Sequence, residues 1–345
     1  MLLDLVSSAL GMPAAGASAG GFAGSGAADG GLSSWLTGGW LSTPVVVGLG
    51  TGLLGLASGL VSPFAVLRGR SLVTDAVAHA ALPGICIAFL LVGERNFAAL
   101  LGGALVIGLL AAGTITLVHR FTRVKEDAAT AMVIACYFGL GIVLSSIIQD
   151  LPGNKAGLDG FIFGKAASMT RSDLMLIGGV ALACIAVISL LYKEFKLLAF
   201  DRAFAQSQGW PTTMLDLGVM ALVCACTVVG LPAVGIVLMV ALLITPAVAA
   251  RFWSDRLATI VLLSGAFGAV AGAGGTTLST ILPAPPAAAL SRGWPTGPMI
   301  ILTASLLMLA SLLLAPRRGL IARALQRARR FSDPEVTPPA PEVSP

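Results

Sequence analysis

Residues 71–92 read SLVTDAVAHAALPGICIAFLLV, and this stretch decides both the fold class and the candidate site. It is mostly apolar and about 20 residues long, which is enough for a helix to cross the hydrocarbon core of a bilayer. Its acidic and basic side chains are Asp75 and His79. Because four residues separate them, they lie on one face of a helix, one turn apart. The stretch therefore predicts a membrane-spanning helix that carries an acid and a base.

The rest of the chain repeats this apolar pattern. Hydrophobic residues make up 57% of the 345 residues and charged residues 11%, whereas an ordinary soluble domain carries roughly a quarter charged residues. We therefore expect an all-α polytopic membrane protein with about nine transmembrane helices. The nine apolar stretches are approximately residues 45–66, 72–92, 97–118, 128–148, 173–192, 213–230, 232–250, 257–282 and 296–315.

The basic residues predict the orientation of these spans. If the C-terminus is cytoplasmic, most of the 21 Lys and Arg fall in cytoplasmic loops or in the tail. The positive-inside rule then places the N-terminus outside. The net charge of +5 is explained by this distribution and by attraction to anionic lipid, so we expect no nucleic-acid partner.

Composition divides the chain into three regions. Residues 1–44 are rich in Gly, Ala and Ser, a composition that cannot bury enough apolar surface to become ordered, so we expect a flexible leader. Residues 45–316 contain the nine stretches and form the transmembrane domain. Residues 317–345 are first basic and then Pro-rich, which predicts a disordered cytoplasmic tail.

Two glycine patterns resemble nucleotide-binding loops but lack the required context. Residues 50–55 (GTGLLG) lie inside an apolar span, and residues 160–166 (GFIFGKA) are one residue short and lack the hydroxyl that binds magnesium. With two histidines in the chain and no catalytic motif, we expect no enzyme activity in this chain alone. The glycines at three- and four-residue spacings are instead interpreted as helix-packing positions: Gly48, Gly52, Gly55, Gly59, Gly268 and Gly272.

Asp75 and His79 are the strongest functional candidates, because a charged group inside a membrane is costly unless it serves a pathway or a partner. A structural pair that fixes helix register is the alternative, although Pro83 interrupts the helical hydrogen-bond ladder nearby. One Asp and one His supply two ligands, whereas a divalent ion needs four or more. We expect a second protomer to supply the same pair across a twofold axis, with mixed ligation that suits manganese, zinc or ferrous iron.

The remaining polar positions are assigned ordinary roles. Cys86 lies seven residues after His79 and so on nearly the same helical face, which makes it a candidate for the ion pathway, but we favour a packing role. The five cysteines all fall in predicted spans and show no disulfide pattern. His119 and Asp216 are interpreted as residues at the membrane interface.

Residues 193–209 form the longest loop on the predicted cytoplasmic side. Their pattern indicates a short amphipathic helix that ends at Gly209, with Phe200, Ala203 and Phe204 on one side. Such a helix is suited to docking another protein. A helix that rests on the lipid headgroups is the alternative.

Several motifs together resemble one family. The run from Ser71 to Gly84 looks like the Asp-x-x-x-His-Ala-x-Leu-Pro-Gly signature of the ABC-3 metal permeases, the membrane subunits of manganese, zinc and iron ABC importers. Residues 199–209 are similar to the coupling segment of that family, residues 235–251 to its late helix, and residues 294–298 to its Pro-Thr-Gly turn. The likeness covers approximately residues 45–316. Ala78 departs from the Ser that many members have before the His.

The resemblance implies a permease subunit in the bacterial cytoplasmic membrane, with a transported divalent metal and no permanently bound cofactor. It implies metal binding by Asp75 and His79. The implied partners are cytoplasmic ATP-binding subunits, an external solute-binding protein and a second permease protomer, the same or a related chain. The residues implied to contact the ATPase are Ala199, Phe200, Asp201, Arg202, Ala203, Ala205 and Gly209.

Two other transport mechanisms stay open at this point. An ABC importer of a metal chelate needs a wide apolar path and no direct metal ligands. A secondary carrier would instead move metal with protons through Asp75 and His79.

Overall fold

The computed structural model describes residues 43–92, 97–150, 169–282, 294–315 and 319–321. These ranges leave out almost all of the predicted flexible leader, residues 1–44, and most of the predicted tail, residues 317–345. Residues 160–166, whose sequence resembles a nucleotide-binding loop, also lie outside the described residues.

The described residues form eleven α-helices, and no strand is present in this part of the chain. The helices are α1 (Thr43–Val66), α2 (Ser71–Val92), α3 (Phe97–Phe121), α4 (Glu126–Asp150), α5 (Arg171–Leu190), α6 (Tyr192–Phe200), α7 (Arg202–Ser207), α8 (Thr212–Val234), α9 (Ile236–Trp253), α10 (Leu257–Ile281) and α11 (Thr296–Leu314). Nine of them, all except α6 and α7, are long and apolar enough to cross a membrane. The all-α, nine-span prediction is confirmed, while the orientation of the termini stays a prediction.

Two apolar cores hold the helices together, and α8 contributes to both. One core joins α8 to α1, α5, α6, α9, α10 and α11. The other joins the opposite side of α8 to α2, α3, α4 and Ile236 at the start of α9. Val219 and Val223 belong to the first core, whereas Met220 and Cys224 belong to the second. The candidate metal helix α2 therefore belongs to a three-helix unit that is attached to the rest through α8 and the start of α9.

The predicted glycine seam is present between α1 and α10. A Cβ atom built on Gly55 would collide with the backbone carbonyl of Gly268, and one on Gly268 would collide with that of Gly55. Thr51 Oγ1 reinforces the contact, since it lies 2.9 Å from Thr276 Oγ1 and 3.1 Å from the Gly272 carbonyl oxygen. Small residues let these helices approach at backbone distance, as the spacing predicted.

Close packing also fixes α2, at positions that the spacing argument did not single out. A Cβ on Gly84 would collide with the carbonyl oxygen of Gly103 in α3. A Cβ on Gly141 in α4 would lie 2.9 Å from Pro83 Cδ. The helix continues through Pro83 to Val92, because packing on both sides compensates for the one missing hydrogen bond. The Pro-Gly pair thus seats α2 between α3 and α4.

The predicted single amphipathic helix over residues 193–209 is wrong in one respect, since two short helices occupy this segment. Asp201 separates α6 from α7 in extended backbone and caps α7, because its Oδ1 accepts a hydrogen bond from Phe204 N at 2.8 Å. An Asp at this position stabilises a new helix start, and so it favours a break over a continuous helix. The predicted end is confirmed: α7 stops at Ser207, and Gly209 follows with a φ of +81°.

Candidate metal site

Helix α2 brings the two predicted site residues together. His79 Nε2 lies 3.4 Å from Asp75 Oδ1, as expected for side chains one turn apart. Both atoms can therefore ligate one ion at bond lengths of about 2.1 Å with a nearly tetrahedral angle between them. One turn of α2 thus presents one imidazole nitrogen and one carboxylate oxygen close enough to contact the same divalent cation.

The imidazole of His79 is oriented by packing. Its ring meets Phe138 of α4 edge to face, with ring centroids 4.8 Å apart. Its Nδ1 atom is buried and has no hydrogen-bond partner within the described part of the chain. Nε2 is consequently the nitrogen presented to Asp75. Sequence reasoning missed Phe138, because a lone aromatic in an apolar span carries no distinguishing signal.

The pair is incomplete as a metal site in one chain. Among the described residues, no group of three or more His, Cys, Asp and Glu side chains is placed to hold an ion. Asp75 is 34% exposed and His79 26% exposed on the outward side of α2, next to the exposed Leu72. Polar groups on the side of a membrane helix are unfavourable in contact with lipid. A partner or a water-filled path is required at this surface.

Neighbouring positions on α2 do not extend the site. Cys86 is fully buried, and its Sγ lies 3.8 Å from the carbonyl oxygen of Gly141. Ala78 is also fully buried in the core of the α2–α3–α4 unit. The side chain at position 78 therefore points into packed protein, away from the face that carries Asp75 and His79.

Asp216 is the residue for which the sequence interpretation fails. Instead of facing headgroups, it is 1% exposed and pairs with three arginines. Arg68 makes the closest contact, Arg202 Nη2 lies 3.3 Å from Oδ2, and Arg70 Nη1 lies 3.7 Å from Oδ1. An acid in an apolar span is a functional candidate by the same rule that singled out Asp75, and that rule would have found it.

A second acid extends this group, which we call the ion cluster: Arg68, Arg70, Glu126, Arg202 and Asp216. Arg70 Nε lies 2.6 Å from Glu126 Oε1 at the start of α4. Burial lowers the pKa of Arg68 to about 10, and the nearby positive charges of Arg70 and Arg202 act in the same direction. Burial lowers the pKa of Arg70 as well. The cluster therefore holds buried positive charge that its two carboxylates only partly compensate.

The ion cluster connects the predicted coupling segment to the metal helix. Arg202 opens α7, while Arg70 directly precedes α2. Asp216 contacts both arginines from α8. These contacts join α7 to the start of the helix that carries Asp75 and His79.

The predicted coupling segment has an anchored part and an exposed part. Phe195 of α6 is 2% exposed and packs on Phe64 of α1 with ring centroids 5.5 Å apart. Phe200 and Phe204 are 62% and 49% exposed. Ala205 is fully buried and holds α7 in place. The segment therefore presents two aromatic side chains outward from a fixed base.

Comparison with known proteins assigns this chain to a family. The model of the ABC 3 transport family matches residues 44–315. The chain is 44% identical over 290 residues to the manganese transport system membrane protein MntC of Bacillus subtilis, an alignment that covers 83% of this chain and 64% of MntC. It is 42% identical over 285 residues to the zinc transport system membrane protein TroC of Treponema pallidum, covering 82% of this chain and 92% of TroC.

A solved structure shares the fold. PsaBC from Streptococcus pneumoniae, determined in complex with Fab, superimposes with a TM-score of 0.67 at 29% identity. The superposition covers 82% of this chain and 94% of the matched one. The chain thus spans almost the full length of TroC and of this structure, but slightly less than two thirds of MntC.

Proposed function

Because this chain belongs to the ABC 3 transport family, we propose that it is the permease subunit of an ABC importer that moves a divalent transition metal across the bacterial cytoplasmic membrane. It is a multi-pass membrane protein with a transport role. Relatives named for manganese and for zinc transport support these two metals as cargo. Iron, the third metal expected from the sequence, stays a prediction.

The observation that carries the proposal is the 3.4 Å approach of His79 Nε2 to Asp75 Oδ1 on a membrane-spanning helix. One imidazole nitrogen and one carboxylate oxygen suit manganese, zinc or ferrous iron. Two ligands from one chain bind an ion weakly, which is appropriate for a transient site because a site on a transport path must also release its ion.

A second permease protomer is proposed to complete the site. The outward position of Asp75 and His79 supports this, because a twofold-related copy of α2 would add the same two ligands. The pair would then be shielded from lipid, and the ion would have four protein ligands. The second protomer is the same chain or a related one.

The proposed ATPase contact is the segment from Ala199 to Gly209. Its exposed Phe200 and Phe204 offer the apolar anchors that a docking groove would accept. We propose that ATP-driven closure of two cytoplasmic ATPase subunits moves α7, and that the ion cluster passes this movement to α2. An external solute-binding protein would deliver the metal at the opposite face.

Metal uptake in cells tests the proposal. The chain is expressed with its ATPase and solute-binding protein in cells that lack their own importer, and manganese and zinc uptake are measured separately. Asp75→Asn and His79→Ala should each reduce uptake to background, because each removes one of the two ligands. Asp127→Asn, which changes an exposed carboxylate at the start of α4, is the matched control and should transport normally.

Each contrary result has a distinct meaning. Normal uptake by both site variants would contradict direct metal ligation and favour transport of a chelate. Uptake that persists without the ATPase subunits would instead favour a proton-coupled carrier.

A further inference from the structure

A cavity of about 280 Å³ lies beside the ion cluster, between the end of α3, helix α7 and the start of α8. The residues that line it are all of polar or basic types: Arg70, Thr116, His119, Arg120, Arg202, Gln206 and Thr213. The metal site on α2 does not use this cavity, so its composition requires a separate explanation.

The charges around the cavity favour an anion. Three guanidinium groups line it, and the seven lining residues include no carboxylate. The two acids of the ion cluster are already paired, Asp216 with Arg68, Arg70 and Arg202, and Glu126 with Arg70. Together with Arg120 of the lining, four arginines therefore face two carboxylates within the described residues. Arg70 is 6% exposed, and a buried guanidinium is strongly stabilised by an additional negative partner.

The chemistry of the lining selects a tetrahedral oxyanion. Each guanidinium carries five N–H donors, and the two carboxylates accept from only some of the donors that the arginines offer. A guanidinium can also bind two phosphate oxygens at the same time. The hydroxyl group of Thr213 adds a neutral polar group at the wall, whereas the hydroxyl of Thr116 donates to the carbonyl oxygen of Ala112 at 2.9 Å. A phosphate group can accept from several of these donors at once, whereas one carboxylate offers fewer oxygens.

The cavity also lies beside the ends of two candidate membrane spans. Its walls come from the last turns of the α3 span, which ends at Phe121, and from the first residues of the α8 span, which begins at Thr212. The ends of membrane spans mark the headgroup level, and basic pockets between helices on the cytoplasmic side bind anionic headgroups.

We propose that this cavity is a phosphate-binding site, in which Arg70, Arg120 and Arg202 hold the phosphate of an anionic phospholipid or a free phosphate ion. A bound phosphate joins α7 to the residue that precedes α2 and so stabilises the ion cluster. Binding itself does not depend on the metal proposal. Only the effect on coupling rests on the proposed function.

Thermal stability of the complete chain in lipid nanodiscs tests binding. The melting temperature is compared in phosphatidylcholine discs, in discs that also contain phosphatidylglycerol, and in phosphatidylcholine discs titrated with inorganic phosphate. We expect phosphatidylglycerol, inorganic phosphate or both to raise the melting temperature of the wild-type chain. A response to phosphatidylglycerol alone identifies a lipid headgroup, and a response to inorganic phosphate identifies a free ion.

A matched pair of variants makes the test specific. Arg120→Gln removes an exposed lining guanidinium and should weaken phosphate binding by about tenfold, the equivalent of one charge-assisted hydrogen bond. Arg123→Gln removes a charge of the same sign three residues away, outside the lining, and should keep the wild-type response. The proposal is overturned if neither phosphate source stabilises the protein, or if both variants lose the response equally.

Discussion

At the scale of single residues, Asp216 is a buried acid that pairs with Arg68, Arg70 and Arg202. It is almost fully buried and is shared by three arginines, two of which are themselves buried. Asp216→Asn should destabilise the protein by about 3 kcal/mol, because it leaves buried positive charges uncompensated. The melting temperature of the purified permease measures this loss.

Arg202→Gln provides the internal comparison for Asp216. Arg202 is 45% exposed, so its pairing with Asp216 is screened by water and contributes little to stability. Arg202→Gln should therefore lower the melting temperature much less than Asp216→Asn. It should still reduce metal uptake if movement of α7 reaches α2 through the contact between Arg202 and Asp216. Equal loss of stability in the two variants would contradict the cluster as described.

The proximity of Asp75 and His79 was predictable from the sequence, whereas their surroundings were not. A spacing of four residues on a helix is sufficient to bring Asp75 and His79 together. The edge contact of Phe138 and the three arginines around Asp216 come from residues far apart in the chain, where helix packing decides proximity. The packing role favoured for Cys86 agrees with its complete burial, while its place on an ion pathway stays an untested prediction.

At the scale of helices, the α1–α10 contact depends on the absence of side chains. Gly268→Ala should destabilise the protein by about 1–3 kcal/mol, because the added methyl collides with backbone that cannot move independently. Gly274→Ala on the same helix is the control, since its Cβ would make only an ordinary contact of 3.7 Å with Thr303. The melting temperatures of the two variants should differ clearly, and similar values would refute a seam at Gly268.

Helix α7 offers a separate test of coupling. Phe204→Ala should leave the melting temperature nearly unchanged, because the side chain is half exposed. It should weaken binding of the ATPase subunits by about tenfold if Phe204 is an anchor of that contact. Met214→Ala, which changes a 74% exposed apolar residue at the start of α8, serves as the control. Unchanged ATPase binding by the Phe204 variant would place the contact elsewhere.

The positions of the nine spans were the feature of the structure that the sequence predicted best. Long apolar runs fix the nine spans closely, because length and hydropathy alone determine which segments can cross a bilayer. The break at Asp201 was missed, because a capping Asp can also be accommodated within a surface helix. Helix α2 continues through Pro83 because it packs against α3 and α4. The local sequence does not specify this packing.

At the scale of the whole molecule, the arrangement explains how one chain could serve as half of a transporter. The α2–α3–α4 unit is attached to the larger core through α8 and the start of α9. It places Asp75 and His79, the proposed metal ligands, on its outer surface and the ion cluster at the start of α2. A twofold-related partner would close the site, and movement of α7 would reach α2 through the cluster.

The central claim is that Asp75 and His79 ligate the transported metal in a paired permease. Metal bound to the purified wild-type dimer and to the His79→Ala dimer tests this most directly, with manganese measured by electron paramagnetic resonance and zinc by elemental analysis. We predict one ion per two wild-type chains and none in the variant, with the dimer intact. Equal metal content in the two proteins would contradict the account.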